Sequence, residues 1–407
     1  MDTLTRRKFL IASGVVGGAA LAAGATALTL RDILATSGDR PEAAGTLVVV
    51  TLYGGNDGLN TVIPHADPAY RSARPELAYQ GSEVLRLDDA TGLNPALKEM
   101  HGLFGAGRLA VVRGVGYPKP DRSHFRSMDI WHTAQPERPG TTGWLGRWLD
   151  RAGGDPRLAV SFENVLPPLL AGASSAGAVV GLREMKLPVG IKAETLTALG
   201  QGAQGASPLL ARACHCFTDL VRVDEMIRDV KEAADSTPDE PAPGGTGTGG
   251  QTALAEQLDL VAQCIEAKAA TRVFSVSLGG FDTHADEKEP HQALLGILDK
   301  AIGSFWKRMS KVDTKVVMLI YSEFGRRVKA NASDGTDHGT ASNLFLIGEG
   351  VKGGLHGDQP SLTDLDNGDL KFGLDFRDVY AALVERVLEA DPGPILGGWR
   401  GRAEGVL

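Results

Sequence analysis

An acid and a histidine stand two residues apart where an apolar run of this sequence ends. The run 273–278 is followed by two glycines and then by Asp282 and His284. In extended backbone, residues i and i+2 project to the same side, so both side chains can reach one cation or one bound substrate. The glycines let the backbone turn sharply or approach a ligand closely. This pair is the first candidate site.

Two further candidate sites also follow apolar runs. Asp57 lies in a glycine-rich turn after the run 46–53, and Asp337 and His338 follow the run 315–321. Each alone has an ordinary explanation, as a turn residue or a surface hydrogen-bond pair. Loops at the carboxyl ends of strands converge on one crevice of an open α/β sheet, so these residues are expected to meet. Mixed Asp and His ligation suits zinc, manganese or iron.

Four other residues are candidates for supporting roles. Ser123 and His124 stand where a helix is expected to begin, so Ser123 is either a nucleophile or an ordinary N-cap. Glu323 directly follows an apolar run and is either a further ligand or an acid that supports one. Arg326 is a candidate clamp for an anionic substrate, with surface salt bridging as the alternative.

The apolar runs are typical of strands, and helical stretches alternate with them. The run 46–53 is rich in β-branched residues, as in a strand buried on both faces. Strands are predicted at 46–53, 109–115, 158–162, 273–278, 315–321 and 343–347, and helices at 95–103, 124–133, 254–270, 291–309 and 376–389. This alternation predicts an α/β fold with a mixed, mostly parallel sheet sandwiched between helices.

Composition indicates a large globular protein. The chain has 407 residues, of which 43% are apolar and 23% charged. We expect one domain over residues 45–407, with a helical insertion near 165–235 and a flexible Pro/Gly-rich loop at 236–252. The net charge of -8 argues against nucleic acid as a partner.

The N-terminus has the pattern of an export signal. The paired Arg6 and Arg7 precede an Ala/Gly-rich run at 11–30 that contains small-residue cleavage options. We expect residues 1–30 to be a twin-arginine signal peptide, and the protein to be periplasmic or secreted, with membrane contact only through that signal. An uncleaved membrane anchor is the alternative, which the many Gly, Ala and Thr residues weaken.

Three cysteines allow at most one disulfide: Cys214, Cys216 and Cys264. Cys214 and Cys216 flank a histidine, which suggests a metal site. In the helix expected at 208–233, however, residues i and i+2 face apart. Buried or disulfide-linked cysteines are therefore favoured over metal ligands.

The order of the motifs resembles the domain-of-unknown-function family numbered 1501. The matching pieces are the twin-arginine signal and the stretches 54–60, 122–125, 279–284, 322–326 and 336–339. That family looks like a distant branch of the alkaline phosphatase and sulfatase superfamily. The resemblance implies an alkaline phosphatase-like fold with one or two divalent ions at the strand ends: zinc, manganese, iron or calcium.

The resemblance also implies roles for individual residues. Asp57 is similar to the superfamily's first-strand metal acid, and Ser123 to its nucleophile. Asp337 and His338 resemble the ligands of one metal, and Asp282 and His284 those of the other. Two spacings depart from the superfamily pattern, and His291 and His356 are the residues available to compensate. Glu323 is a further weaker ligand candidate.

The expected function is that of an exported, metal-dependent hydrolase acting on a phosphate or sulfate ester of a small molecule or polymer. Ser123 would attack the metal-polarised ester, with His124 and Arg326 as further catalytic residues. One alternative is a non-catalytic envelope or secretion-associated binding protein, in which the Asp and His side chains would not converge within about 2.0 to 2.2 Å of a common centre. Another is a phosphomutase-like enzyme.

Overall fold

The computed structural model of the protein describes residues 26–28, 30–38, 45–163, 165–180 and 253–407. Most of the expected signal peptide and of the helical insertion, and the whole loop at 236–252, lie outside the described residues. So do Cys214, Cys216 and the helix expected around them. The predictions for these segments, and that of a single domain over 45–407, stay predictions.

Ten strands of the described chain form one sheet. In chain order they are β1 (Thr26–Ala27), β2 (Thr46–Leu52), β6 (Leu109–Gly116), β7 (Ala159–Ser161), β8 (Ala178–Val179), β9 (Val273–Leu278), β10 (Val316–Ser322), β11 (Ser342–Gly348), β12 (Gly354–His356) and β13 (Leu374–Asp375). The strand order is β1-β8-β7-β9-β2-β10-β11-β6-β12, and β13 also pairs with β6. A smaller sheet contains β3 (Val62–Ile63), β5 (Gly92–Leu93) and β4 (Leu85–Arg86).

The centre of the large sheet is parallel. β2 lies between β9 and β10, pairs with both in parallel, and has every residue buried, as its β-branched sequence predicts. Within the sheet β11 runs antiparallel to both of its neighbours, β10 and β6. The predicted mixed, mostly parallel sheet is therefore confirmed. The carboxyl ends of β2, β9 and β10 lie side by side at one edge.

Helices cover both faces of the sheet. They are α1 (Leu30–Leu34), α2 (Gly58–Thr61), α3 (Pro68–Ala73), α4 (Lys98–Gly105), α5 (His124–Thr133), α6 (Trp144–Arg151), α7 (Ala253–Glu266), α8 (Lys288–Met309), α9 (Phe376–Arg386) and α10 (Pro392–Ile395), with short 3₁₀ turns at Pro156–Leu158 and Pro168–Leu170. Because strand side chains alternate, Val49 belongs to an apolar cluster that includes Trp131 of α5 and Tyr380 of α9. Val48 belongs to a second cluster that includes Leu258 of α7 and Leu298 of α8.

The boundaries differ from the sequence prediction at several helices. α4 begins at Lys98 because the side chain of Asn94 accepts the Ala96 N–H, which turns the chain before the helix. α8 begins at Lys288, three residues before the predicted start. Cys264 lies buried in α7 and forms no disulfide within the part of the chain that the structure describes, and burial raises its pKa to about 12. No helix in the described ranges is long and apolar enough to cross a membrane.

Candidate metal centre

Four side chains from three chain segments meet at the carboxyl edge of the parallel strands. Asp282 and His284 lie in the loop after β9, His338 in the loop between β10 and β11, and His124 opens α5 after β6. The β10–β11 loop folds back on itself, and the backbone of His338 bridges to that of Arg326. This return places His338 beside the β9 loop.

Glycines allow these loops to touch. A Cβ on Gly54, whose φ is +115°, would lie 2.6 Å from the Asp282 nitrogen. A Cβ on Gly335 would lie 2.2 Å from the carbonyl carbon of His284. Only glycine permits backbone-to-backbone approach this close, so the glycine-rich turns set the distance between ligand-bearing loops.

The polar atoms of the four side chains form a compact cluster. Nε2 of His338 lies 3.1 Å from Nε2 of His124, 3.0 Å from Nε2 of His284 and 3.1 Å from Oδ1 of Asp282. Asp282 Oδ1 is also 2.9 Å from His284 Nε2 and 3.4 Å from His124 Nε2. His124, Asp282 and His338 meet the spacing that a single metal ion requires.

In His124 and His338 the hydrogen-bond partner of Nδ1 determines which ring nitrogen carries the proton. His338 Nδ1 is 2.9 Å from the carbonyl oxygen of Arg122, and His124 Nδ1 is 2.8 Å from Oε1 of Glu323. Both oxygens accept, so each Nδ1 carries the proton and donates. The facing Nε2 atoms then present two lone pairs to each other at hydrogen-bond distance. A metal ion between them, or a proton on His124, removes that repulsion.

The spacing of three of these side chains fits tetrahedral coordination with one position open. Zinc–ligand bonds of about 2.0 to 2.1 Å place tetrahedral ligand atoms about 3.3 Å apart. The distances among the ligand atoms of His124, Asp282 and His338 run from 3.1 to 3.4 Å. Imidazole and carboxylate are also donors that zinc prefers, whereas calcium takes oxygen ligands.

The charges around the cluster favour a cation at its centre. Burial lowers the pKa of His124, but hydrogen bonds to Asp282 and Glu323 outweigh it and raise the pKa to about 9. Burial raises the pKa of Asp282, yet hydrogen bonds from His124, His338 and Arg326 bring it well below the usual range. Asp282 is therefore ionised at neutral pH and available as a ligand.

Glu323 and Asp337 lie outside the cluster and face its histidines. Glu323 is buried and accepts the Gly54 N–H and the Ser322 hydroxyl as well as the His124 ring. It therefore orients a ligand, as carboxylates behind metal-bound histidines do. Asp337 is 59% exposed, and its Oδ1 lies 3.7 Å from Nδ1 of His284. Its carboxylate is on the outer side of that ring.

Arg326 is buried and engaged with the protein. Its guanidinium donates to the carbonyl oxygens of Gly55, Thr336 and Phe281 and to Oδ1 of Asp282. With a side chain that is 0% exposed, it cannot reach a substrate. Arg326 was predicted to bind an anionic substrate. In the structure it instead positions Asp282 and connects three loops by hydrogen bonds.

Asp57 is not part of the cluster. Its Oδ2 forms an ion pair with Arg74, and its Oδ1 accepts the Leu59 N–H at the start of α2. Both side chains of the pair are 0% exposed. Burial raises the pKa of Asp57, but the Arg74 guanidinium more than compensates and lowers it overall. Arg74, which the sequence analysis did not single out, supplies the positive charge that a metal was predicted to supply there.

The weaker ligand candidates lie apart from the cluster. His291 is buried and bonds through Nε2 to Asn56 Oδ1 at 2.9 Å, and burial lowers its pKa to about 4. His356 bonds to the Lys352 carbonyl at 2.7 Å. Ser123 is exposed at the N-cap of α5 and its side chain makes no capping hydrogen bond. It therefore stands next to the ligand residue His124 with its hydroxyl free of a capping role.

A large open cleft adjoins the cluster. It has a volume of about 1020 Å³, and its lining includes Glu323, Phe324, Arg122, Asp369 and Phe372. Phe324 also packs against the rings of His124 and His338, with centroid distances of 4.8 and 5.0 Å. The cleft thus reaches the cluster at Phe324 and is wide enough for a sizeable ligand.

Comparison with known proteins supports the resemblance noted from the motifs. Residues 225–387 match the family described as "Protein of unknown function (DUF1501)". The match includes the Asp282, His284 and His338 segments and confirms the predicted relationship over that part of the chain. A search of curated proteins gave no match.

Several solved structures are similar to this chain at low identity. A protein in the alkaline phosphatase superfamily from Vibrio parahaemolyticus is 10% identical with a TM-score of 0.42, covering 89% of this chain and 69% of its own. A phosphonate monoester hydrolase from Silicibacter pomeroyi is 11% identical with a TM-score of 0.37, covering 88% and 76%. The phosphonate monoester hydrolase of Agrobacterium radiobacter is 12% identical with a TM-score of 0.32, covering 89% and 79%.

Proposed function

We propose that this protein is a metal-dependent hydrolase that cleaves a phosphate or sulfate ester. The observation that carries the proposal is the convergence of three imidazole Nε2 atoms and one carboxylate oxygen at His124, His284, His338 and Asp282. In a binding protein that only keeps the fold, these side chains need not converge, so their convergence supports the enzyme.

Three of these side chains, His124, Asp282 and His338, would hold one ion and leave a coordination position open. Zinc fits this site best, and manganese or iron fit next. When bound, the ion acts as a Lewis acid towards the ester oxygen. Around it, Glu323 orients His124, the Arg122 carbonyl orients His338, and Arg326 fixes Asp282. These contacts hold the ligands in place before substrate arrives.

Ser123 is the proposed nucleophile because it is exposed next to His124 at the N-terminus of α5. Its oxygen forms a bond to phosphorus or sulfur as the ester bond to the alcohol breaks. The hydroxyl proton passes to water, and the departing alcohol takes a proton from water. A second water then cleaves the covalent intermediate and restores Ser123.

An assay of the metal-loaded protein with an aryl phosphate and an aryl sulfate tests this function. We expect the wild-type protein to turn over at least one ester and to lose this activity on chelation. His338→Ala should be inactive. His356→Ala should stay active, since His356 lies apart from the cluster. Ser123→Ala should bind metal and lose turnover. Metal-loaded protein that turns over neither ester would overturn the proposal. We further propose that the chain acts in the periplasm or outside the cell, after export through its Arg6-Arg7 signal.

A further inference from the structure

Arg122 connects the metal centre to the cleft. Its carbonyl oxygen accepts the proton of His338 Nδ1 at 2.9 Å, and it precedes His124 by two residues. Its guanidinium lies in the cleft, where Nη2 pairs with the carboxylate of Asp369. The side chain of Arg122 is 41% exposed, so part of the guanidinium meets solvent. Arg326, by contrast, is fully covered.

Asp369 is held at the tip of a tight hairpin. The backbones of Asp366 and Asp369 exchange two hydrogen bonds of 2.9 and 3.0 Å, and Asn367 and Gly368 between them have φ of +52° and +88°. Such left-handed pairs form the two-residue turns that close hairpins. The turn thus fixes the Asp369 carboxylate against the cleft.

Two arginines face the carboxylate of Asp369. They are Arg122 and Arg327, the latter with Nε 3.6 Å from Oδ1. The Asp369 side chain is 1% exposed, and its Oδ1 is buried without a hydrogen-bond partner. Arg327 therefore stays beside this carboxylate when Arg122 turns to another anion.

We propose that Arg122 binds the anionic group of the ester and that Asp369 is the internal anion that holds this arginine ready in the absence of substrate. This inference rests on the proposed hydrolase function and assigns the specificity-determining residue of the same site. A planar guanidinium recognises phosphate or sulfate oxygens by paired hydrogen bonds. An anionic ester displaces the Asp369 carboxylate from Arg122, while Arg327 keeps that carboxylate compensated.

Calorimetric titration of the zinc-loaded protein with inorganic phosphate tests the assignment without turnover. Arg122→Met should weaken phosphate binding by about tenfold or more, since a charge-assisted pair is lost, and Arg122→Lys should restore only part of it. Asp369→Asn should tighten binding by about two- to fivefold, because the competing charge is removed while the shape remains. A purely structural ion pair predicts no such gain.

Arg308→Met is the matched control. Arg308 is a part-exposed arginine paired with Asp259 and Glu266 on the surface of α7 and α8, and its loss should leave phosphate affinity unchanged. If Arg122→Met and Asp369→Asn both bind phosphate with the affinity of the wild type, the inference is wrong. The hydrolase proposal would be unaffected by that result. Zinc-loaded wild type that binds neither phosphate nor sulfate would also overturn the inference, whereas the turnover assay alone decides the hydrolase proposal.

Discussion

Nε2 of His124 lies 3.1 Å from Nε2 of His338, although each ring donates its Nδ1 proton to an oxygen on its outer side. Two lone pairs facing each other at this distance repel unless a metal ion lies between them or His124 carries a second proton. This relationship is the main geometric support for the proposed metal centre, and it leads to the first prediction.

The protein purified without chelator should contain one metal ion per chain, and His338→Ala should contain none after dialysis. His338 contacts the other three ligand atoms, so its loss opens the whole cluster. Elemental analysis by mass spectrometry measures the content. His356→Ala is the matched control and should keep its ion. Two ions per chain, or an unchanged content in His338→Ala, would contradict the single-site assignment.

Glu323→Gln should weaken metal binding by about ten- to a hundredfold, as is typical when the partner of a ligating histidine is lost. The amide keeps the size of the side chain but removes the charge that favours the Nδ1–H tautomer of His124. Competition with a fluorescent chelator measures the affinity. Glu266→Gln, at an exposed ion pair with Arg308, should show wild-type affinity. Equal affinities in the two variants would remove the orienting role.

Arg326→Met should lower the free energy of unfolding by about 3 kcal/mol or more, because buried carbonyl oxygens lose their donors. Arg326→Lys should not restore stability, since an ammonium cannot reach the same oxygens as the guanidinium fork. Urea unfolding of the metal-free proteins measures both. Arg157→Met, at an exposed arginine, should change stability by less than about 0.5 kcal/mol. If the Arg326→Met variant is as stable as the wild type and loses only activity, Arg326 has a catalytic role instead.

Asp57 and Arg74 should be strongly coupled in stability and should not affect the number of metal ions. Asp57→Asn and Arg74→Met should each cost about 3 to 5 kcal/mol, because each leaves one buried charge unpaired. The double variant should lose less than the sum of the two. Unfolding of all four proteins completes the cycle, and the double variant should still bind one ion. Loss of the ion from it would show that Asp57 is a ligand.

The contribution of Glu163 to the free energy of unfolding should fall as pH rises. Its buried carboxyl lies 2.9 Å from the Ser275 hydroxyl, and burial raises its pKa to about 7. The folded pKa is above the unfolded value of 4.5, so this contribution is complete below pH 4.5 and is lost as pH rises through 7. The difference in unfolding free energy between wild type and Glu163→Gln should change by about 3 kcal/mol over that window. A difference that does not change with pH would contradict the shifted pKa.

The sequence predicted the central strands well because they are buried on both faces. Runs such as 46–53 and 315–321 contain so many β-branched and apolar residues that neither a loop nor a surface helix fits them. The short strands β12 and β13 were missed, since two or three residues with mixed exposure carry no periodic pattern.

The sequence placed the candidate site residues after strands, but it did not predict which of them lie together. Asp282, His284 and His338 follow strands, so topology alone could bring them together. His124 was predicted as a catalytic residue, because its neighbour Ser123 and the start of a helix gave no reason to expect a ligand. The pairing of Asp57 with Arg74 depends on tertiary contacts across 17 residues that no local motif records.

The proposed ligands are far apart along the chain, and this separation determines the stage of folding at which a metal could bind. His124 and His338 are 214 residues apart, and only Asp282 and His284 are neighbours in sequence. An unfolded chain would have to close a very long loop before a third or fourth ligand arrived, which the entropy of loop closure disfavours. The ion would therefore bind only after the chain has folded, and it would not nucleate folding. Retained metal in a variant consequently reports that the distant halves of the chain have already come together.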